Sequence, residues 1–462
     1  LEVIEIVTKG IDIRELALTI LLEISEEGGF SHIALNQALT KYQYLPKQDR
    51  AFLSRLTEGT VERMIELDYM INQFSKIKVK KMKPVIRNIL RMGAYQIKYM
   101  DQVPVSAACN EAVKLAEKKK FHDLKGFVNG VLRTISRELG NVNYPNKKNQ
   151  PIQYLSVVYS MPEWIITNWL KELDFDTIEA MLKASFEQTA TTIRCNTCKI
   201  SVEDFKKMLN EQKVTVHPGA YVKEALRIAD YDSISRLQGY QEGYFQVQDE
   251  SSMLVAYAAD VREGEVILDV CAAPGGKSLH LAQLLNGTGK VIACDLTESK
   301  VELIEENRKR LGFENVEPRV QNALELNEEF IEMADIVIAD LPCSGLGIIG
   351  KKNDNKYKTT PDKQQELAKL QKDILTVVQQ YVKKGGTLIY STCTINQEEN
   401  LRNVEWFTNN FDFVLEPLNN YLPLPFQKRE RKDSTIKEGY INLIPGIHEA
   451  DGFFIARLKR KN

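Results

Sequence analysis

Over residues 12–139 apolar side chains return every three or four positions on an otherwise polar chain, as in Phe52, Leu56, Thr60, Met64, Leu67 and Ile71. This is the period of an α-helix with one buried face, and strand-like alternation is nearly absent there. The pattern predicts a compact all-helical region ending near Gly140, where residues 141–151 gather Asn, Pro and Lys in the manner of a linker. From 152 to about 240 helical stretches such as 162–173 mix with short strand runs around 191–194 and 214–217, which predicts a small α+β connector. Beyond Gly243 the texture changes. Apolar runs at 266–270, 291–295, 336–340 and 387–391 alternate with amphipathic helices, the signature of a parallel sheet covered on both faces. The expected organisation is an all-α region over 1–140, a linker and α+β connector over 141–242, and an α/β region over 243–462. No internal repeat of solenoid period and no low-complexity tract interrupts it.

Composition narrows the class. A chain of 462 residues, 43% hydrophobic and 27% charged, is expected to be globular with more than one core, and no apolar window reaches the length of a membrane span. The N-terminus carries Glu2 and Glu5 rather than the basic start of a secretory signal, and with Leu1 in place of Met a processed or truncated chain is expected. Seven scattered cysteines do not make a disulfide framework, so a reducing, cytoplasmic setting is expected. Cys195 and Cys198 form one C-x-x-C pair with no second pair nearby, and the five histidines are dispersed, so no metal site is expected. The net charge of −2 exerts no global pull on nucleic acid. Local basic clusters do favour a polyanionic partner: Lys76 to Lys83, Lys118 to Lys120, Lys351 to Lys358, and Lys428, Arg429, Arg431 and Lys432. A monomer is expected.

The first apolar run of the α/β region closes in Asp269 and Val270 and passes through Cys271, Ala272, Ala273, Pro274, Gly275, Gly276, Lys277 and Ser278 into a helix. Glycines at such a turn let backbone approach a ligand, and free N–H groups at a helix start attract a carboxylate or phosphate. The second run ends in Asp295, 20 residues after Gly275, near the spacing at which an acidic residue reaches ribose hydroxyls in dinucleotide-type folds. Nucleoside binding follows. The turn is neither G-x-G-x-x-G nor a Walker loop, and two adjacent glycines suit a small carboxylate, such as the methionine end of S-adenosylmethionine, better than a pyrophosphate.

The third and fourth runs end in Asp340-Leu341-Pro342-Cys343-Ser344-Gly345 and Ser391-Thr392-Cys393-Thr394. Residues just past the carboxyl ends of separate parallel strands can converge on one pocket, which would bring two thiols to one cofactor. That pairing suits methylation at carbon 5 of cytosine. Carbon 5 is too weak a nucleophile by itself, but a thiolate added to carbon 6 turns the ring into an enamine whose carbon 5 can attack. A second group must then help the carbon-5 proton and the thiolate to leave. Asp340 could bond the ring N3 and exocyclic amine, with a raised pKa if it is to donate a proton. Either cysteine could be the nucleophile on spacing alone. Cys271 and Cys294 have no comparable task.

These residues resemble the RNA cytosine-5 methyltransferases, and the whole chain is similar to their bacterial ribosomal RNA branch, Sun or RsmB. The resemblance rests on Gln248-Asp249-Glu250, the Cys271 to Ser278 turn, the Asp340 to Gly345 loop, Ser391-Thr392-Cys393, Glu398-Glu399-Asn400 and Asp451-Gly452-Phe453-Phe454. In the helical region it extends to Asp49-Arg50-Ala51-Phe52, Leu90 to Gln96, Asn110-Glu111-Ala112-Val113 and Gly126-Phe127-Val128-Asn129. It implies an all-α NusB-like RNA-binding domain, the α+β connector, and a Rossmann-like methyltransferase domain that uses S-adenosylmethionine. It further implies Cys393 as nucleophile and Cys343 as the group assisting proton removal or release. The implied cofactor contacts are Cys271, Ala272, Ala273, Pro274, Gly275, Gly276, Lys277, Asp295, Asn322 and Asp340, and the implied partner is small-subunit (16S) ribosomal RNA. Asn322 stands where this family usually has Asp, so weakened rather than lost binding of the adenine amino group is expected. Asn353-Asp354 replaces a common Pro-Asp and leaves the form of that loop open.

Two rival readings share these residues. A transfer RNA cytosine-5 methyltransferase would have the same core, and the helical N-terminal region argues against it by analogy. A non-catalytic RNA-binding assembly factor would not need both cysteines and Asp340.

Overall fold

The computed structural model describes residues 11–187, 190–430 and 433–462. Leu1, Glu2, Glu5, Arg431 and Lys432 lie outside the described residues. The chain divides into two units, one holding the chain up to Lys183 together with Ile349–Lys358, the other Ala184–Ile348 and Thr359–Asn462.

The first unit is helical. Ile13–Glu26, Ser31–Lys41, Lys47–Glu62, Met64–Phe74, Pro84–Tyr99, Val105–Lys118 and Lys125–Glu138 turn their apolar stripes onto one core that includes Leu18, Leu53, Leu56, Leu67, Met70, Leu90 and Leu132. Asp12 starts the first helix by accepting from the N–H groups of Arg14 and Glu15, each at 3.1 Å. The stripe from Phe52 to Ile71 is not one helix: Arg63, at φ −98° and ψ 14°, divides it. The Ser160 hydroxyl accepts from the freed N–H of Glu66 at 3.0 Å, and the Arg63 guanidinium donates to Val158 O. Within the segment that composition marks as a linker, the Tyr144 hydroxyl donates to Glu66 at 2.9 Å and Asn143 O accepts from Tyr69 at 2.8 Å.

Ile349–Lys358 packs with these helices although it comes from the middle of the α/β sequence. Asp354, 1% exposed, accepts from the N–H of Ser31 at 2.9 Å and from its hydroxyl at 2.7 Å, and pairs with Lys358 at 2.9 Å. Its carboxylate thereby satisfies the start of the helix Ser31–Lys41. Lys356 donates to Glu62 O at 2.9 Å, and burial pushes its ammonium down to about 7. The loop that Asn353-Asp354 left open is thus fixed by side-chain bonds to the helical unit.

In the second unit, β1 (Thr191–Cys195), β2 (Thr215–Pro218), β3 (Ala225–Ala229) and β4 (Phe245–Val247) form an antiparallel sheet of order β2-β3-β1-β4. The larger sheet holds β5 (Val266–Asp269), β6 (Lys290–Asp295), β7 (Val316–Val320), β8 (Ala334–Asp340), β9 (Val382–Thr392), β10 (Phe413–Leu415) and β12 (Phe453–Arg460), in the order β10-β12-β9-β8-β5-β6-β7. β11 (Tyr440–Leu443) pairs with β12 off that path. β5 to β9 pair in parallel, as the continuous apolar runs of β5, β6, β8 and β9 predict, whereas β12 lies antiparallel on β9 and makes the sheet mixed. β6 flanks β5 on one side and β8 on the other, so the strand order reverses there and opens a crevice at the carboxyl ends. No helix among the described residues is long and apolar enough to cross a membrane.

Replacing Asp354 with Ala leaves the Ser31 donors and the Lys358 ammonium without their carboxylate. The helical unit is expected to lose about 2–3 kcal/mol of stability, with faster amide exchange at the start of the helix Ser31–Lys41. An unchanged melting midpoint and unchanged exchange would contradict this role for Asp354.

Candidate active site

At the end of β5 the chain turns into the helix Gly276–Leu284 through Gly275, whose φ of +101° is a conformation that side-chain-bearing residues rarely adopt. A pocket of about 170 Å³ lies at this turn, lined among others by Gln248, Asp249, Asp269, Cys271, Ala272, Ala273, Pro274, Gly276, Lys277 and Asp340. A larger cavity of about 300 Å³ in the helical unit, lined among others by Leu21, Arg87, Arg91 and Tyr357, contains none of these residues.

Three of the expected cofactor residues do not line the pocket. Gly275 makes the turn itself. Asp295, at the end of β6, supports the turn by accepting from the N–H of Ala273 at 2.9 Å, while its other oxygen accepts from Leu296 N–H at 2.7 Å and Lys300 Nζ at 2.9 Å. Asn322 accepts from the N–H of Leu324 at 3.1 Å and donates to Glu325 at 2.8 Å.

Asp269 belongs to the pocket and was not singled out from the sequence. It is 1% exposed, one oxygen accepts from the Ser278 hydroxyl at 2.6 Å, and the other has no partner. Burial pushes this carboxyl up to about 7. The signal was available, since Asp269 closes its apolar run as Asp295 and Asp340 close theirs. An unpartnered acid oxygen beside a helix start whose first N–H groups have no intrahelical acceptor suits a group that is cationic at one end and anionic at the other. The amino-acid end of S-adenosylmethionine has that character, so these residues fit it.

β8 and β9 set the chemistry. Their parallel register pairs Asp340 with Ser391, so the chain leaves both strands at one level. Asp340 forms an ion pair with Lys277 at 2.6 Å and accepts from the Ser391 hydroxyl at 2.8 Å. Lys277 also lies over the Phe453 ring, 5.1 Å from its centroid. Burial works against the ammonium, but the carboxylates of Asp340 and Asp269 hold Lys277 above its ordinary value. The resemblance implies Lys277 as a cofactor contact; it lines the pocket and neutralises Asp340 as well.

Past the strands, the Cys343 and Cys393 sulfurs are 3.3 Å apart. Backbone holds the two loops together: Gly347 N–H donates to Cys393 O at 3.0 Å and Gly452 N–H to Gly347 O at 2.9 Å. A Cβ on Gly347 would stand 2.1 Å from Gly452 O, so only glycine permits the crossing. The hydrogen bond with Cys393, then burial, push the Cys343 thiol well above its ordinary value. Cys343 therefore holds its proton more firmly than an ordinary thiol, and a hydrogen bond between the sulfurs, which either of them can donate, is an arrangement that can carry a thiolate on one of the two. Cys294 is core, its thiol pushed up to about 12 by burial, and Cys271 is raised by burial likewise. Cys195 is buried and Cys198 exposed.

The Asp269 carboxyl is easier to protonate in the folded chain than in the unfolded one. Its contribution to stability is therefore complete below the ordinary Asp value of about 3.9 and is lost as pH rises through about 7. Asp269→Asn keeps an acceptor for Ser278 and removes the charge. Without added cofactor, its melting temperature relative to the unaltered protein is expected to rise between about pH 5 and about pH 8. A difference that does not change with pH would contradict a buried, titrating Asp269.

Comparisons with known proteins identify the family. Residues 256–459 match the family described as 16S rRNA methyltransferase RsmB/F, residues 12–137 the NusB family, and residues 161–235 the ferredoxin-like domain described as Methyltr_RsmF/B-like. The chain is 35% identical over 457 residues to a probable ribosomal RNA small subunit methyltransferase B of Bacillus subtilis (strain 168), covering 98% of this chain and 100% of that one. It is 32% identical over 462 residues to a protein of the same description from Synechocystis, covering 97% and 100%. Among solved structures, that of PH0851 superposes with a TM-score of 0.80 at 28% identity, covering 97% of this chain and 98% of that one. A methyltransferase homolog protein from Pyrococcus horikoshii superposes with a TM-score of 0.56 at 29% identity, covering 67% and 99%. The chain belongs to the RsmB/F family of 16S ribosomal RNA methyltransferases, enzymes that depend on S-adenosylmethionine.

Proposed function

We propose that this protein methylates carbon 5 of one cytosine in 16S ribosomal RNA through a transient bond between Cys393 Sγ and carbon 6 of the ring. The observation that carries this reading is the pair of sulfurs 3.3 Å apart at the ends of β8 and β9, beside the Lys277–Asp340 pair. Cys271 to Gly276, Lys277, Asp269 and Asp340 would hold the amino-acid end of S-adenosylmethionine, with Asp295 and Asn322 towards the nucleoside end. When bound, this cofactor supplies an electrophilic methyl group.

The Cys393 thiolate adds to carbon 6, and the displaced ring electrons make carbon 5 nucleophilic. Asp340 accepts a hydrogen bond from the exocyclic amine, while the Lys277 ammonium offsets the negative charge that the ring acquires. Asp340 acts here as an anion, since its ion pair with Lys277 speaks against the protonated donor considered from sequence. Once Cys393 is bonded to carbon, it no longer offers Cys343 a negatively charged acceptor. The largest cause of the raised Cys343 value is thereby removed, and its thiol can release a proton to solvent. The Cys343 thiolate then takes the proton from carbon 5. The electrons of that C–H bond form the C5–C6 double bond, the S–C6 bond breaks, and Cys393 leaves as a thiolate.

Transfer of labelled methyl from S-adenosylmethionine to 16S ribosomal RNA tests this reading. Cys393→Ala is expected to reduce transfer to background, and Cys343→Ala to slow turnover and leave protein bound to RNA as a slow band on a denaturing gel. Normal transfer by Cys393→Ala would overturn the assignment of the nucleophile; absence of the band with Cys343→Ala would remove Cys343 from product release. Transfer to transfer RNA alone would replace the proposed substrate.

A further inference from the structure

The two cysteine loops rest on a buried polar cluster centred on Glu399 and Gln371. Glu399, in the turn Gln397–Glu399 just after Cys393, is 0% exposed. One of its carboxylate oxygens accepts from the N–H of Ser344 at 2.8 Å and from Gln371 Nε2 at 3.3 Å; the other accepts from Asn396 Nδ2 at 3.0 Å. Gln371, also 0% exposed, donates through the same nitrogen to Pro342 O at 2.8 Å. Glu399 and Gln371 thus grip the backbone on both sides of Cys343. Ser344 and Thr394, which follow the two cysteines, share a hydroxyl hydrogen bond of 2.8 Å. Asn400 completes the other loop by donating to Thr394 O at 2.9 Å and accepting from the Thr392 hydroxyl at 2.5 Å.

A carboxylate this deeply buried is costly unless its hydrogen bonds are complete, and here no cation pairs with it among the described residues. An apolar residue would leave these donors unsatisfied and a glutamine could accept through one oxygen only, so the site suits a carboxylate, whose charge then lies close to the cysteines. The Cys343 thiolate is disfavoured first by the hydrogen bond with Cys393, then by burial and the charge of Cys393, and the field of Glu399 acts in the same direction. Across the sulfur pair the sign is reversed, because the Lys277 ammonium interacts with Cys393. The charged and titratable groups around the pair include Glu399 from the turn after β9, Tyr390 from β9 itself, Lys277 from the helix Gly276–Leu284, and Asp340 from the end of β8.

We propose that Glu399 is the positioning residue that gives two adjacent cysteines different roles, holding the Cys343 loop in register with the Cys393 loop and setting a buried negative charge on the Cys343 side. Cys343 is thereby the proton-bearing partner and Cys393 the nucleophile before any substrate arrives. The inference rests on the reading of Cys393 as nucleophile and adds how that choice is made.

The deciding readout needs neither RNA nor cofactor. The folded full-length protein is treated with iodoacetamide over a range of pH, and the alkylation rates of Cys343 and Cys393 are read separately by peptide mass spectrometry. The unaltered protein is expected to react first at Cys393. Glu399→Gln keeps the shape and removes the charge, and is expected to reduce the Cys393-to-Cys343 rate ratio by about tenfold or more, with the Cys343 reaction beginning at lower pH. Glu399→Asp, which keeps the charge but shortens the reach to Ser344, is expected to preserve the ratio while slowing methyl transfer. A folded Glu399→Gln protein with an unchanged ratio would overturn the inference. If that variant does not fold, the Glu399→Asp ratio decides: preserved, it supports the inference, and collapsed, it refutes it. Preferential alkylation of Cys343 in the unaltered protein would instead refute the assignment of the nucleophile.

Discussion

The parallel pairing of β8 with β9 is the constraint on which the site depends. Because Asp340 stands opposite Ser391, two loops leave the sheet at the same level, and residues two or three positions further on can meet. The 3.3 Å between the sulfurs and the hydrogen bond from Ser391 to Asp340 both follow from that register. A one-residue slip would turn every side chain of β9 to the other face and carry Cys393 away from Cys343. The contact between Gly347 and Gly452 reinforces the register from outside the two strands, since it brings the loop after Cys343 against the chain that enters β12.

The site also gathers charges that an apolar core would exclude. Asp269 and Glu399 are buried, and Lys277 and Asp340 are largely withdrawn from solvent as a pair. Burying such groups costs several kcal/mol unless hydrogen bonds or opposite charges compensate. Lys277 and Asp340 compensate each other, and Glu399 is held by Ser344, Gln371 and Asn396. Asp269 retains one unpartnered oxygen, and it lines the pocket where the cofactor's amino-acid end is proposed to bind. Buried charges also occur elsewhere, as at Lys356 and Glu224, but at the pocket they stand where ligand and chemistry are proposed to meet.

Much of this was legible in the sequence because the relevant patterns are local. The runs around Ile267, Ile292, Val337 and Leu388 are continuous and apolar, and each became a central parallel strand. β7 escaped notice because Glu317, Pro318 and Arg319 break its pattern, which an edge strand tolerates. The antiparallel β12 was visible only as the ending Asp451-Gly452-Phe453-Phe454. Site residues at strand ends could be found, but their partners could not: Lys277 and Asp340 are 63 positions apart, and Ser344 and Glu399 55. The break at Arg63 and the membership of Asp354 in the helical unit depend on Ser160 and Ser31, far away in sequence. Spacing pointed Asp295, and the family resemblance Asn322, to a nucleoside; what neither could indicate is that Asp295 bonds the Ala273 turn and that Asn322 bonds Leu324 and Glu325.

The most direct measurement of the central claim uses 16S ribosomal RNA carrying 5-fluorocytosine together with S-adenosylmethionine. Fluorine cannot leave carbon 5 as a proton does, so the reaction stops with the ring attached to the protein. Peptide mass spectrometry of the adduct should find a methylated fluoropyrimidine on Cys393. The same group on Cys343, or no adduct from protein that methylates ordinary RNA at full rate, would contradict the account.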